Sequence, residues 1–126
     1  MPDFHYTMEQ LAPDLSVCIT RDHRFGTDAF LLSDFAAVRH KDLACDLGTG
    51  CGIIPLLWFR DRQQGPKMAY GVDIQPLAVE QLRFTIEQSD LGQRMQAVQA
   101  ASSAAEYFLQ NNDEPFFSGL DALPGQ

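Results

Sequence analysis

The sequence predicts an α/β protein built on about three parallel strands in the spatial order 3-2-1, with helices as crossover connections. Segments with strand-like and helix-like patterns alternate along the chain, which is typical of a parallel sheet. A glycine-rich turn, Gly48 to Gly52, separates an apolar strand-like run from an apolar helix-like run. We expect the interval 42–112 to hold three βα units and hence three parallel strands. We therefore expect a lead-in with one strand at 1–26, a domain at 27–112 and a flexible tail at 113–126.

The lead-in is expected to contain one strand and to be followed by a helix. Residues 15–20 alternate apolar with small or polar side chains, as a half-buried strand does. Thr27 stands where its hydroxyl could cap the first turn of a helix. Leu31, Phe35 and Val38 then recur at helical spacing and predict one buried stripe.

The next strand and helix flank the glycine turn. Residues 43–47 form a short apolar run with one carboxylate, Asp46, near its end, and predict a buried strand. Residues 53–59 are apolar on every side. Pro55 falls in the first turn of this segment, where a missing N–H is harmless, so we expect a buried helix.

Two more strands complete the predicted sheet. Residues 68–74 read as a second buried strand, and Pro76 opens a helix with one apolar face. Residues 95–98 support a third, weaker strand, and 103–109 have the spacing of a capping box before a short last helix. The prediction is thus a Rossmann-like, three-layer half-fold.

Composition excludes several classes of protein. The chain has 126 residues and a formal net charge of −8, and its nine Lys and Arg are scattered, which argues against a broad electrostatic grip on nucleic acid. No apolar run approaches the length of a membrane span, and no secretory signal is visible, so we expect a cytoplasmic protein without a membrane partner. Three cysteines without metal-ligand spacing argue against a disulfide scaffold and a metal site.

The glycine turn predicts a nucleotide-type site. Gly48, Gly50 and Gly52 leave the backbone amides open to a ligand, and Asp73, 23 residues after Gly50, stands where a carboxylate can accept ribose hydroxyls. A dinucleotide fingerprint would need glycine at position 53, where this chain has Ile53, so NAD is disfavoured. The alternative is a cofactor with a cationic sulfonium and an amino-acid tail, for which a carboxylate just before the glycines is suited.

Three motifs extend this interpretation. The segment 46–52 (DLGTGCG) resembles the first motif of class I S-adenosylmethionine-dependent methyltransferases. Together with 25–32 (FGTDAFLL) and 71–76 (GVDIQP), it resembles the bacterial tRNA (adenine) methyltransferases that modify an exocyclic amine beside the valine anticodon. The similarity covers roughly residues 15–99.

The resemblance implies S-adenosyl-L-methionine as the cofactor and a tRNA or other RNA as the substrate. It implies that Asp46 and the turn line the methionine moiety and that Asp73 holds the ribose. The cofactor-binding residues it implies are Thr27, Asp28, Asp46, Gly48, Thr49, Gly50, Cys51, Gly52, Asp73, Ile74 and Gln75. By its position, the Cys51 side chain is expected to fill space, since no histidine lies in the motif.

The sequence departs from the family on the substrate side. The family has an Asn-Pro-Pro-Tyr segment after its fourth strand, whereas here the nearest string is 113–116 (DEPF). The acidic residue that the family places after the third strand is also missing at 99–101 (QAA). We therefore expect a truncated or frame-disrupted methyltransferase that lacks the substrate-side motif needed for activity. It is expected to be poorly soluble alone or to need a protein partner that covers the apolar edge of its first strand. A non-catalytic cofactor-binding or interaction module and half of a nicotinamide-binding oxidoreductase are the alternatives.

Overall fold

A parallel three-stranded sheet forms the centre of the protein in a computed structural model that describes residues 2–104 and 106. The elements, in chain order, are β1 (Thr7–Ala12), β2 (Leu15–Ile19), α1 (Asp28–Phe35), β3 (Leu43–Leu47), α2 (Ile53–Trp58), β4 (Met68–Asp73), α3 (Pro76–Gln88) and β5 (Met95–Gln99). The strand order β3-β4-β5 confirms the predicted α/β fold with its first predicted parallel strand at one edge.

Each face of the sheet contributes to a buried cluster. Ala69 of β4 and Met95 of β5 pack with Leu56 of α2 and Leu82 of α3, and all four side chains are at most 2% exposed. Alternate residues of a strand point to opposite faces, so Tyr70 belongs to the second cluster on the other side. This alternation fixes the register, and the register sets which residues meet at the two ends of the sheet.

The lead-in contains a β-hairpin, and the expectation of a single strand there was wrong. β1 pairs with β2 in antiparallel register, with Thr7 opposite Ile19 and Ala12 opposite Leu15. The strand β1 is mostly exposed, so its sequence lacks the alternation of apolar and polar residues that identifies a half-buried strand. Pro13 and Asp14, which form the connection, are the sequence signal that could have indicated the hairpin.

The hairpin packs on α3. The buried side chain of Gln81 donates from Nε2 to the carbonyl oxygens of Cys18, at 3.0 Å, and His23, at 3.1 Å. Its Oε1 accepts the hydroxyl of Thr20 at 2.8 Å, and the Thr85 hydroxyl accepts the backbone N–H of Cys18 at 2.8 Å. The lead-in therefore shares a core with the sheet, while the boundaries 27–112 of the proposed domain stay a prediction.

Helix α1 differs from its prediction. Thr27 is the residue before the helix, but its side chain makes no capping hydrogen bond. Leu31 is 74% exposed and Phe35 is 87% exposed, so the predicted buried stripe was wrong. The helix ends at Phe35 and buries its small residues Ala29 and Ser33, because these permit a close approach to α2.

The end of the predicted domain lies partly outside the described residues. Residues 102–104 form a helical turn in which Ala104 donates its N–H to the Ala101 carbonyl at 3.0 Å. The rest of the helix predicted at 103–109 and the predicted tail 113–126 fall on residues that the structure does not describe, apart from 106. In the described part of the chain, no helix combines the length and the apolar character needed to span a membrane.

Candidate functional site

The glycine turn connects β3 to α2 at the carboxyl end of the sheet. Gly48, Gly50 and Gly52 have φ angles of +70°, +60° and +85°, which residues with a side chain rarely adopt. Thr49, between the first two glycines, donates its backbone N–H to the Val72 carbonyl of β4 at 2.9 Å. The turn is thus attached to the neighbouring strand and held in a fixed position.

Two of the glycines in this region are required by packing. A Cβ at Gly52 would collide with the side chain of Leu82, and a Cβ at Gly71 would lie 2.5 Å from the same leucine and 3.1 Å from Thr49. The packing role of Gly71 was not predicted from the sequence, although an isolated glycine in a strand pattern signals such a close approach. The absence of both side chains lets α3 pack against the base of the turn.

Asp73, at the end of β4, binds the turn through its carboxylate. Its Oδ2 accepts the backbone N–H of Gly50 at 2.9 Å, and its Oδ1 accepts the backbone N–H of Gln75 at 2.9 Å. Each carboxylate oxygen retains acceptor capacity beyond one hydrogen bond. Asp73 therefore orients the turn and still has acceptor capacity for a ligand.

Asp46, near the end of β3, is the second carboxylate of the site. Burial raises its pKa above the ordinary aspartate value, and the nearby charge of Asp73 raises it further. The hydroxyl of Thr49 opposes this shift in the pKa by donating to Asp46 Oδ2 at 2.7 Å. The site thus holds a carboxylate that a nearby positive charge would stabilise.

The surroundings of the two carboxylates fit a cationic ligand. Among the described residues, neither Asp46 nor Asp73 forms an ion pair with a basic side chain. A Cβ built at Gly48 or Gly50 would meet no atom within 4 Å, so the turn has open space beside it. Negative charge and room for a ligand therefore occur together, which suits a cofactor that carries a sulfonium, an amino acid and a ribose.

The other residues predicted for the site are placed differently. Ile74 is 51% exposed and Gln75 is exposed directly after Asp73, at the border of the site. Cys51 is 1% exposed, and burial raises the pKa of its thiol to about 11, as suits a side chain that fills space. Thr27 and Asp28 are exposed at the start of α1, and no hydrogen bond joins their side chains to the glycine turn.

Comparison with curated proteins finds relatives that carry the family name indicated by the three motifs, and it confirms that resemblance. A tRNA1(Val) (adenine(37)-N6)-methyltransferase of Haemophilus influenzae strain 86-028NP is 29% identical over 93 residues. The match covers 74% of this chain and 38% of the relative. The corresponding protein of strain Rd is 26% identical over 111 residues, which cover 88% of this chain and 45% of the relative. The chain thus spans less than half the length of these relatives, and no protein-family model matches it.

Solved structures of methyltransferases share the fold. The C-terminal domain of precorrin-6Y C5,15-methyltransferase from Rhodobacter capsulatus superposes with a TM-score of 0.56 at 24% identity, covering 73% of this chain and 48% of that chain. M. capricolum TrmK, solved in complex with S-adenosyl-homocysteine, gives a TM-score of 0.55 at 18% identity, covering 72% of this chain and 37% of that chain. At these identities the likeness shows the fold alone.

Proposed function

We propose that this chain binds S-adenosyl-L-methionine at the glycine turn and forms the cofactor half of a methyltransferase site. The observation that carries the proposal is the pairing of two carboxylates, Asp46 and Asp73, around an open turn without a basic partner among the described residues. Such a pair is costly unless a ligand brings positive charge or hydroxyl donors. The resemblance of three sequence motifs to class I methyltransferases supports the same cofactor.

The proposed roles of the residues follow from their positions. Asp46 faces the positively charged methionine end, and the glycine turn at residues 48–52 lines the methionine moiety. Asp73 accepts hydrogen bonds from the ribose hydroxyls with the acceptor capacity that Gly50 and Gln75 leave. Ile74 and Gln75 border the adenine ring, since both are exposed beside Asp73. Thr27 and Asp28 would close the site from the side of α1.

The chain contributes chiefly by holding the cofactor in place. S-adenosyl-L-methionine supplies a methyl group on a sulfonium, which a nucleophile can take by direct displacement. Positioning accounts for much of the catalysis in such a reaction, because no covalent enzyme intermediate is needed. The hydrogen bonds from the Gly50 N–H to Asp73 and from the Thr49 hydroxyl to Asp46 hold the turn in one conformation before the cofactor arrives.

We further propose an RNA adenine as the methyl acceptor. The curated relatives are named for an adenine of a tRNA, and the chain matches 38% of the length of the first of them. On this proposal the protein acts in the cytoplasm. The substrate side differs from the family: Gln99 stands at the end of β5, where the family has an acidic residue, and the predicted substrate segment 113–116 lies outside the described residues.

The open edge of β3 is the proposed place for a protein partner. In the described part of the chain, β3 pairs with β4 on one side only. Leu43 at its start is 42% exposed, and Leu31 and Phe35 of α1 add exposed apolar surface. We propose that a strand from a further polypeptide pairs with β3, because an open apolar edge otherwise favours aggregation.

A non-catalytic cofactor-binding module is the second candidate. The hydrogen bond from Gln99 Nε2 to the Ile74 carbonyl, at 3.5 Å, favours this candidate. Gln99 places an amide at the end of β5, where the family has a carboxylate. Such a protein would bind the cofactor and transfer no methyl group. The first and second candidates therefore share the site and differ in chemistry.

Calorimetric titration tests the cofactor. We expect S-adenosylmethionine and S-adenosylhomocysteine to bind and NAD to produce no heat of binding. Binding of NAD alone would contradict the proposal and favour the oxidoreductase alternative.

A second experiment incubates the protein with a tRNA transcript and radiolabelled S-adenosylmethionine. Label in the RNA supports the enzyme, whereas cofactor binding without label under all conditions supports the non-catalytic module.

A further inference from the structure

A cavity lies at the end of the sheet opposite the glycine turn. It has a volume of about 550 Å³ and is lined by His40, Lys41, Lys67 and Arg94. Among the residues that the structure describes, those lining the cavity are all of basic types, although the whole chain has a formal net charge of −8. Such a local concentration of positive charge in an acidic protein attracts anions.

The register of the sheet brings these residues together. Leu43 pairs with Met68, and Ala69 pairs with Met95, so the residues that precede β3, β4 and β5 meet at the amino ends of the strands. Lys67 directly precedes β4, and its backbone N–H donates to the Asp42 carbonyl at 2.9 Å. Residues scattered along the sequence therefore form one cluster in space.

Arg94 is a fixed positive charge in this cluster. Its guanidinium donates to the carbonyl oxygens of Arg62, at 3.1 Å, Gly65, at 3.1 Å, and Pro66, at 2.7 Å, and it lies 5.0 Å from the centre of the Phe59 ring. No carboxylate among the described residues pairs with it. The arginine thus orders the loop before β4 while its charge stays uncompensated.

The two lysines are the groups available to a ligand. Lys41 and Lys67 are exposed, and neither has an ion-pair or hydrogen-bond partner for its ammonium group among the described residues. The nearby carboxylate of Asp42 is occupied, since it accepts the backbone N–H of Arg39 at 2.7 Å and faces its guanidinium at 3.5 Å. His40 Nδ1 lies 3.0 Å from the Gly65 carbonyl, which can only accept, so this nitrogen donates and Nε2 is left for another partner.

We propose that this cavity binds a phosphate-bearing anion of nucleotide size, through Lys41 and Lys67 beside the fixed charge of Arg94. The volume lies in the range of about 300–1,000 Å³ that is usual for small-molecule sites and exceeds what a single inorganic ion requires. The anion is either a free di- or triphosphate or the phosphate backbone of an RNA, which present the same chemistry to the lysines. The proposal does not rest on the cofactor site, which lies at the other end of the strands.

The test compares two double variants that remove the same amount of charge. Lys41→Gln with Lys67→Gln alters the proposed site, and Arg21→Gln with Arg24→Gln removes two exposed arginines that line a different cavity. Pyrophosphate binding is measured by calorimetry at constant ionic strength, and a short labelled RNA oligonucleotide is measured by fluorescence anisotropy. We expect the lysine pair to weaken binding by about tenfold or more and the arginine pair to leave it nearly unchanged.

Each outcome decides the proposal. If the lysine double variant loses pyrophosphate binding and the arginine double variant does not, the result supports a free phosphate as the ligand. If only RNA binding shows this difference, the result supports an RNA backbone. Equal weakening by both pairs would indicate non-specific charge attraction and would overturn the proposal, as would a wild-type protein that binds neither probe. Thermal unfolding verifies that the variants fold, and Lys67→Glu alone provides an independent variant. Binding of S-adenosylhomocysteine should be unchanged in the lysine pair.

Discussion

Asp73 accepts the backbone N–H of Gly50 across 23 residues of chain, at 2.9 Å, and so joins the end of β4 to the turn that follows β3. The same carboxylate accepts the N–H of Gln75 with its other oxygen, at 2.9 Å. One side chain therefore fixes two loops that border the proposed cofactor. This double function makes Asp73 the most informative residue to change.

Replacement of Asp73 by alanine should weaken binding of S-adenosylhomocysteine by about 1–3 kcal/mol, because the ribose loses its acceptor and the turn loses its anchor. Calorimetry measures this change. Glu80→Gln, which removes a charge from an exposed position on α3, is the matched control and should bind as the wild type does. Equal affinity of the Asp73 variant and the wild type would contradict the assigned role.

Replacement of Asp46 by asparagine should stabilise the protein at neutral pH and weaken cofactor binding. Burial raises the pKa of Asp46 in the folded state above the ordinary aspartate value of 3.8, so the folded protein binds the proton more tightly than the unfolded chain. At pH values above the pKa of folded Asp46, the charged carboxylate lowers the free energy of unfolding. This loss disappears as the pH falls below 3.8, because Asp46 is then protonated in the folded and the unfolded state.

Urea unfolding of Asp46→Asn and wild type across this pH range measures the effect. The stability gain should be largest near neutral pH and should shrink steadily on acidification, since asparagine can still accept the hydroxyl of Thr49. A gain that grows as the pH falls would show that the sign of the shift in the pKa is wrong.

The glycines of the turn should differ in their sensitivity to substitution. Gly48→Ala should cost about 1–2 kcal/mol of unfolding free energy, because its φ is +70° but its surroundings are open. Gly52→Ala should lower the unfolding free energy by about 1–3 kcal/mol more than Gly48→Ala does, since its new methyl group also collides with Leu82. Combining Gly52→Ala with Leu82→Ala should cost less than the two single changes added together. Full additivity would show that the two residues do not interact.

The exposed apolar residues of α1 should be dispensable for folding but important for association. Leu31→Glu with Phe35→Glu should change the unfolding free energy by no more than about 0.5 kcal/mol, because the side chains are 74% and 87% exposed. The same change should reduce self-association, as measured by light scattering after gel filtration. A strongly destabilised variant would mean that these side chains are buried in solution.

Cys51 should be inert in the folded protein. Its thiol is 1% exposed and burial raises its pKa to about 11, so little thiolate exists at neutral pH. Iodoacetamide at neutral pH should therefore label Cys51 only after unfolding, and mass spectrometry identifies the labelled residue. Rapid labelling of the native protein at Cys51 would reopen a chemical role for this thiol.

The sequence predicted the parallel core well because each core strand is apolar and ends at a turn signal. The strand at 43–47 and the first residues of α2 and α3 were predicted at their observed positions. β1 was missed because an exposed outer strand carries no periodic signal. α1 was predicted with the wrong buried face, since spacing alone does not show that Ala29 and Ser33 pack closely on α2.

The two carboxylates of the candidate site could be predicted to lie together because each stands at the end of an apolar strand-like run. The burial of β3 was predicted wrongly, since the strand is half-buried with Leu43 exposed. The hydrogen bonds of these carboxylates could not be predicted, since the bond between Asp73 and Gly50 depends on how two adjacent strands align. The cluster at the amino ends was also invisible in the sequence, where Lys41, Lys67 and Arg94 are far apart. Parallel pairing brings together residues that precede successive strands, and this relationship requires the register.

The buried amide of Gln81 has a consequence for how the molecule opens. Because it binds the β2 strand, the loop at Thr20 and the carbonyl of His23 at once, the hairpin cannot detach from α3 without breaking all three bonds. The backbone amides of β2 should therefore exchange with deuterium at the same rate as those of α3, in one cooperative opening.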